Sequence, residues 1–186
     1  MGAPATVWRA FERNEITHSA AHYLLAVAAF TASGRPPRSV DISRHLAVSR
    51  TAASLQLRNL HDQGLLKLDD AQRFHLTRAG TDLVARVTSK REVLRVFLSQ
   101  VLGVAEETAE VDACKVEHLL SEETGAALVR LIRFLRSKRP AANTFLEEFR
   151  AAAAQCPNDG RCELCTNVCL MDLATRTGAS SQRPKP

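Results

Sequence analysis

The chain has 186 residues, 45% of them hydrophobic and 24% charged, a globular composition that excludes disorder of the whole. Lys and Arg outnumber Asp and Glu by five, and the excess falls in residues 1–90, with 12 basic groups against 7 acidic; that permits a polyanion partner without demanding one. No apolar run approaches the roughly 20 residues of a membrane span, and no charged-then-apolar signal opens the chain, so a cytoplasmic protein without a membrane partner is expected, in which five cysteines point to metal or redox chemistry rather than structural disulfides.

In chain order, residues 15–33 carry Ile16, Tyr23, Leu24, Val27, Ala28 and Phe30 at near-helical spacing, and Gly34, Pro36 and Pro37 end the segment. Ser39 caps a short helix through Leu46, and Ser49 opens another that runs to about Asp62, stopped by Gly64. Two short helices across a tight turn form a helix-turn-helix. Residues 65–68 and 74–76 alternate around a polar turn and predict a hairpin, the wing. Thr77 caps a long helix with apolar periodicity to Leu102, ended by Gly103. Helices over about 106–120 and 122–136 follow, residues 138–140 break the pattern, and 144–154 predict a last amphipathic helix. The expectation is a mainly α protein: a winged helix-turn-helix over residues 1–77, an α-helical dimerisation and metal-sensing domain over 78–140, and a C-terminal helix with a Cys-rich loop over 141–186.

In a helix-turn-helix the second helix presents its first turns to base edges in the major groove. Here that surface is Ser49, Arg50, Thr51 and Ser54, with Leu55 or Arg58 further along. Arg35, Arg38, Arg44 and Arg73 fall in flanking loops and the wing, where phosphate contact is the natural use of an arginine. Double-stranded operator DNA is the expected partner. Winged helices also serve as protein-docking modules, so the fold alone does not decide.

Residues 111–121 read V-D-A-C-K-V-E-H-L-L-S. Cys114, Glu117 and His118 stand at i, i+3 and i+4, which puts a thiolate, a carboxylate and an imidazole on one helical face. A further donor must come from elsewhere, and the first helix offers His22, with Ser19 and His18 one turn earlier and Glu15 before them. The bland alternative is that Cys114 is a small buried hydrophobe.

The order of winged helix, long helix and D-A-C-K-V-E-H-L-L-S resembles the diphtheria toxin repressor family of iron- and manganese-dependent regulators over residues 15–137. The resemblance implies a homodimer in which metal ties the first helix to the sensing helix and sets the two winged helices for DNA. It carries the family's ligands onto Ser19, His22, Cys114, Glu117 and His118, with His22 where iron-type members have Met and manganese-type members Glu. At the family's second metal site the resemblance places Arg91 and Arg95, with Glu110 at the third position. Two guanidiniums cannot ligate a cation, so that site is expected to be absent, with an arginine–Glu110 salt bridge in its place. The family's SH3-like C-terminal domain is also expected to be missing. Cys and His donors favour Fe(II), Co, Ni or Zn over manganese. The resemblance points to Fe(II), while affinity order alone selects zinc.

Cys156, Cys162, Cys165 and Cys169 follow at spacings x5, x2 and x3. Four thiolates in one turn-rich loop suit a [4Fe-4S] cluster or tetrahedral zinc. Structural zinc usually joins two separate Cys-x-x-Cys knuckles, and this single wrap with one knuckle favours the cluster. Two other functions stay open: a thiol–disulfide or electron-transfer protein using Cys162 and Cys165, for which no βαβ pattern is present, and a protein-interaction winged helix with a structural zinc. No nucleophile elbow, phosphate-cradling loop or paired-carboxylate site suggests an enzyme.

Overall fold

The first helix, α1 (His18–Ala32), starts where Thr17 takes up extended backbone and its hydroxyl accepts the Ala20 amide at 3.2 Å. That cap sets the start three residues later than apolar periodicity suggested. This computed structural model describes residues 16–152, which form two compact units divided after Arg136, each treated by itself below. Ala20, Ala21, Tyr23, Leu24, Ala26 and Val27 are all buried, so α1 is a core helix rather than a surface one. In the first unit it packs against α2 (Ser39–His45), α3 (Arg50–Asp62), the second wing strand and α4 (Arg78–Val96).

The helix-turn-helix forms where the sequence placed it. The cap of α2 is Arg38 rather than the expected Ser39, which is the first helical residue: Asp41 reaches back to the Arg38 amide at 2.9 Å. Ala47 turns the chain at a φ of 53°, and the Ser49 hydroxyl accepts the Ala52 amide to open α3. Gly64, at φ 73°, closes α3 in the left-handed region. Strands β1 (Leu66–Leu68) and β2 (Phe74–Leu76) then pair antiparallel, with Leu66 opposite Leu76 and Leu68 opposite Phe74. The Phe74 amide donates to the Pro37 carbonyl at 2.8 Å, fastening this wing to the loop before α2. Asp69 holds the wing tip by accepting from the Arg73 amide at 2.8 Å and from His75 Nε2 at 2.9 Å. The core beneath comprises Leu24, Val27, Ile42, Leu57, Leu60, Leu66, Leu83 and Val87, and each such side chain taken from water contributes about 1.5–3 kcal/mol.

Three further elements differ from the sequence expectation. The long helix does not run unbroken to Leu102: it changes to a π-helical turn over Phe97–Val101. Ser99 Oγ donates to the Arg95 carbonyl at 2.9 Å there, and the Leu102 amide reaches back five residues to Phe97, a local competition for carbonyls that widens the turn. Helix α5 (Glu106–Val116) ends four residues early, leaving Glu117 and His118 in its closing turn. Helix α7 (Pro140–Ala151), in the second unit, starts at Pro140, a residue that spacing had suggested as a breaker but that fits the first helical position, where its missing N–H costs nothing. Between these, α6 (Glu122–Leu135) is capped by Ser121 and packs on α4. No helix among the described residues is long and apolar enough to cross a membrane.

Candidate metal centre and nucleic-acid face

Helices α1 and α5 both pack against α4, which brings together residues far apart in the chain. His22 Nε2 of α1 lies 3.4 Å from Cys114 Sγ of α5, across 92 residues of sequence. One turn earlier on α1, His18 Nε2 lies 3.1 Å from His22 Nε2. Ligand-capable atoms of His18, His22 and Cys114 all fall within 4.8 Å of one another. The His118 ring stands 5.1 Å from that of His18, and its buried Nδ1 has no hydrogen-bond partner.

Glu117 takes a different course. Its side chain is wholly buried, and Oε2 lies 3.4 Å from Nε of Arg91 on α4, a guanidinium that also pairs with Glu110 at 3.1 Å. The salt bridge expected at the second metal position is therefore present, made by Arg91; Arg95 pairs with Glu92 and Glu106 instead. Ser19 is exposed at the start of α1. His18, mentioned only as a neighbour in the sequence, is the donor closest to His22, and the H-x-x-x-H spacing on one helix face was its signal. Glu15 and the four tail cysteines, Cys156, Cys162, Cys165 and Cys169, lie outside the described residues.

Electrostatics prepares this cluster for a cation. Burial, then the neighbouring His18 and Arg91 charges, lowers the His22 pKa, and burial with the His18 and His22 charges lowers that of His118. Both shifts favour the neutral imidazole, the form with a lone pair to give. Burial raises the Cys114 thiol, with Arg91 opposing, so a cation taken up there must displace a proton from sulfur. Burial pushes the Glu117 carboxyl up to about 7, with Arg91 pulling against it. Neutral imidazoles, a displaceable thiol proton and an unpartnered buried nitrogen form a donor set that fits a divalent transition ion.

The residues expected to face DNA lie at the start and middle of α3, in the loop before α2 and in the wing. Ser49, Arg50, Thr51, Arg58, Arg38 and Arg73 are exposed. The Ser54 hydroxyl is within 2.7 Å of Ser39 Oγ, binding α3 to α2 and leaving it less free for a base. Arg38, Arg58, His61 and Gln72 line a notch of about 430 Å³ between α3 and the wing; His61 and Gln72 were not foreseen, because only the fold brings the wing turn beside the end of α3.

Fold and cluster together define a winged helix-turn-helix followed by further helices, with a candidate metal site between α1 and α5. Residues 77–144 match the family described as iron dependent repressor, metal binding and dimerisation domain. Iron-dependent repressor IdeR of Mycobacterium tuberculosis is 26% identical over 119 residues, 64% of this chain and 52% of that protein. The diphtheria toxin repressor of Corynebacterium jeikeium is 24% identical over 164 residues, 87% of this chain and 67% of the other. The crystal structure of T. acidophilum IdeR superposes with a TM-score of 0.52 at 21% identity, covering 62% of this chain and 54% of that one, a likeness of fold. Over these stretches the chain is similar to iron-dependent and diphtheria toxin repressors, the likeness that its D-A-C-K-V-E-H-L-L-S stretch led us to expect. It spans about half the length of the IdeR proteins it matches.

Proposed function

We propose that this protein is a metal-dependent transcriptional repressor. It acts in the cytoplasm as a homodimer that binds double-stranded operator DNA through the winged helix-turn-helix, with a divalent transition ion held between α1 and α5 setting its affinity. The observation that carries this is the 3.4 Å approach of His22 to Cys114, which joins the first helix of the DNA-reading unit to the sensing helix. An ion ligated by both would fix the position of α1, and α1 packs on α2, α3 and β2 of the winged helix. Chemistry at the site then becomes geometry at the DNA face, as a ligand acts only through its differential affinity for two states. Ser49, Arg50, Thr51, Arg58, Arg38 and Arg73 would contact the duplex, the arginines chiefly at phosphates.

The tail adds a second element. Cys156, Cys162, Cys165 and Cys169 would bind a [4Fe-4S] cluster, supported by their single compact spacing. Fluorescence anisotropy with a duplex from the gene's own promoter tests the main reading. Binding should strengthen on adding divalent metal and weaken on adding chelator, and Cys114→Ser should lose that response. Binding that is the same in both conditions would refute metal dependence, and no binding to any promoter duplex would favour a protein-docking winged helix. Sulfide analysis and absorption spectra of oxygen-free protein test the tail, where a colourless, sulfide-free, zinc-loaded protein would refute the cluster.

A further inference from the structure

The ion site needs donors beyond His22 and Cys114, and the family resemblance would draw one of them from Glu117. Two observations direct that carboxylate elsewhere. Arg91 Nε stands 3.4 Å from its Oε2 and bridges to Glu110. This is an ion pair without a hydrogen bond, since Arg91 Nε and both Glu117 oxygens lack a hydrogen-bond partner, but withdrawing the buried carboxylate from its guanidinium leaves an uncompensated charge in the interior. Arg91 also acts on Cys114 and His22 electrostatically, so its guanidinium lies beside the cluster as well as beside Glu117.

Nitrogen supplies the deficit. His18 stands 3.1 Å from His22, within the 4.8 Å set that includes Cys114, and His118, with its unpartnered buried Nδ1 and its ring 5.1 Å from that of His18, completes the group. We infer that the ion is held by His18, His22, His118 and Cys114, three imidazoles and one thiolate, while Arg91 keeps Glu117 out of the shell. This rests on the metal-responsive reading and narrows it. Imidazole and thiolate without a carboxylate suit a borderline-soft ion of the zinc type, whereas manganese and magnesium call for oxygen-rich shells. The inference departs from the iron expected from the sequence. Relative affinity cannot test it, because zinc binds most N, O and S sites more tightly than iron or manganese does; the ligand set and the coordination number can.

Full-length protein titrated with Co(II) under argon provides the readout. The Cys114→Ser spectrum is subtracted from that of the unaltered chain, which removes any contribution of the tail cysteines. The difference should show a near-ultraviolet thiolate charge-transfer band together with the intense visible bands of four-coordinate cobalt. His18→Ala, a change at an exposed position, should weaken Co(II) binding by about 10-fold or more, the scale on which even supporting partners of metal ligands act. Glu117→Gln should leave affinity and spectrum little changed. Should Glu117→Gln fail to fold by circular dichroism, the double variant Arg91→Met, Glu117→Leu removes both buried charges together and should likewise keep the spectrum. Weak six-coordinate visible bands, or affinity lost with Glu117 and kept without His18, would overturn the inference while leaving metal-responsive regulation standing. Co(II) spectra identical with and without Cys114 would overturn the metal-responsive reading as well.

Discussion

Gly80, in the first turn of α4, is where the wing and the long helix meet most tightly, and Gly80→Ala should loosen that junction. A Cβ built there would overlap the Leu65 carbonyl oxygen and come within 3.1 Å of its carbon and 3.2 Å of Leu76 Cδ2. The same carbonyl accepts from the Thr77 amide at 3.0 Å and from Thr77 Oγ1 at 3.2 Å, so displacing it disturbs the cap of α4 and the base of β1 together. Forcing a methyl into a packed junction costs about 1–3 kcal/mol, and weakening two hydrogen bonds adds about 1 kcal/mol each. The better helix propensity of Ala returns about 1 kcal/mol, which leaves a net loss of about 2–4 kcal/mol. For a chain of this length that lowers the melting temperature by about 4–16 °C, measurable by differential scanning fluorimetry. Gly125→Ala is the control: its Cβ would meet only Leu120 Cδ2 at 3.9 Å, so helix propensity acts alone and stability should rise by up to about 1 kcal/mol. A Gly80→Ala protein that melts at or above the parent temperature would refute the steric account.

Three further outcomes follow from the same structure. Leu57→Ala, at a position with no solvent exposure, should cost about 2–5 kcal/mol in urea unfolding. Arg91→Ala should destabilise by about 3 kcal/mol, since it strands Glu117 in the interior, whereas Arg95→Ala, whose partners Glu92 and Glu106 are exposed, should cost under about 1 kcal/mol; equal losses would show that the Glu117 pair is not a buried one in solution. The His75 hydrogen bond, first among several, holds the Asp69 carboxyl below its ordinary 3.8. A depressed folded-state value means the bond stabilises the wing above that pH and is lost as pH falls through and below it, so hydrogen exchange in the hairpin should quicken below about pH 3.8 in the parent and be insensitive there in Asp69→Asn.

The sequence carried the local structure well because its signals are local. Ser49, Gly64, Thr77 and Ser121 each cap or stop a helix through bonds to residues three or four away, and the alternation around Asp69 is enough to predict the wing. The site was legible in its parts: His22, Cys114 and His118 lie near one another, and Arg91 bridges to Glu110. What sequence spacing missed was competition. Glu117 has the right spacing to accompany Cys114, but a guanidinium from α4 reaches it, and nothing in the spacing of α5 encodes what α4 presents. The π-helical turn was hidden for a related reason, since it depends on which hydroxyl takes the Arg95 carbonyl rather than on hydrophobic period. The Arg38, Arg58, His61 and Gln72 notch arises only when the wing folds back beside α3.

The separation of 92 positions between His22 and Cys114 also couples any occupant of the site to folding. Neither half of the chain has both donors at hand, and an unfolded chain would have to close a very long loop to bring them together, an entropic cost that grows with its logarithm. An ion that recognises the assembled site would therefore favour the folded protein by mass action, about 2.7 kcal/mol at a free concentration 100 times its dissociation constant. Starved of such an ion, a cell would hold a chain that is more easily unfolded and degraded.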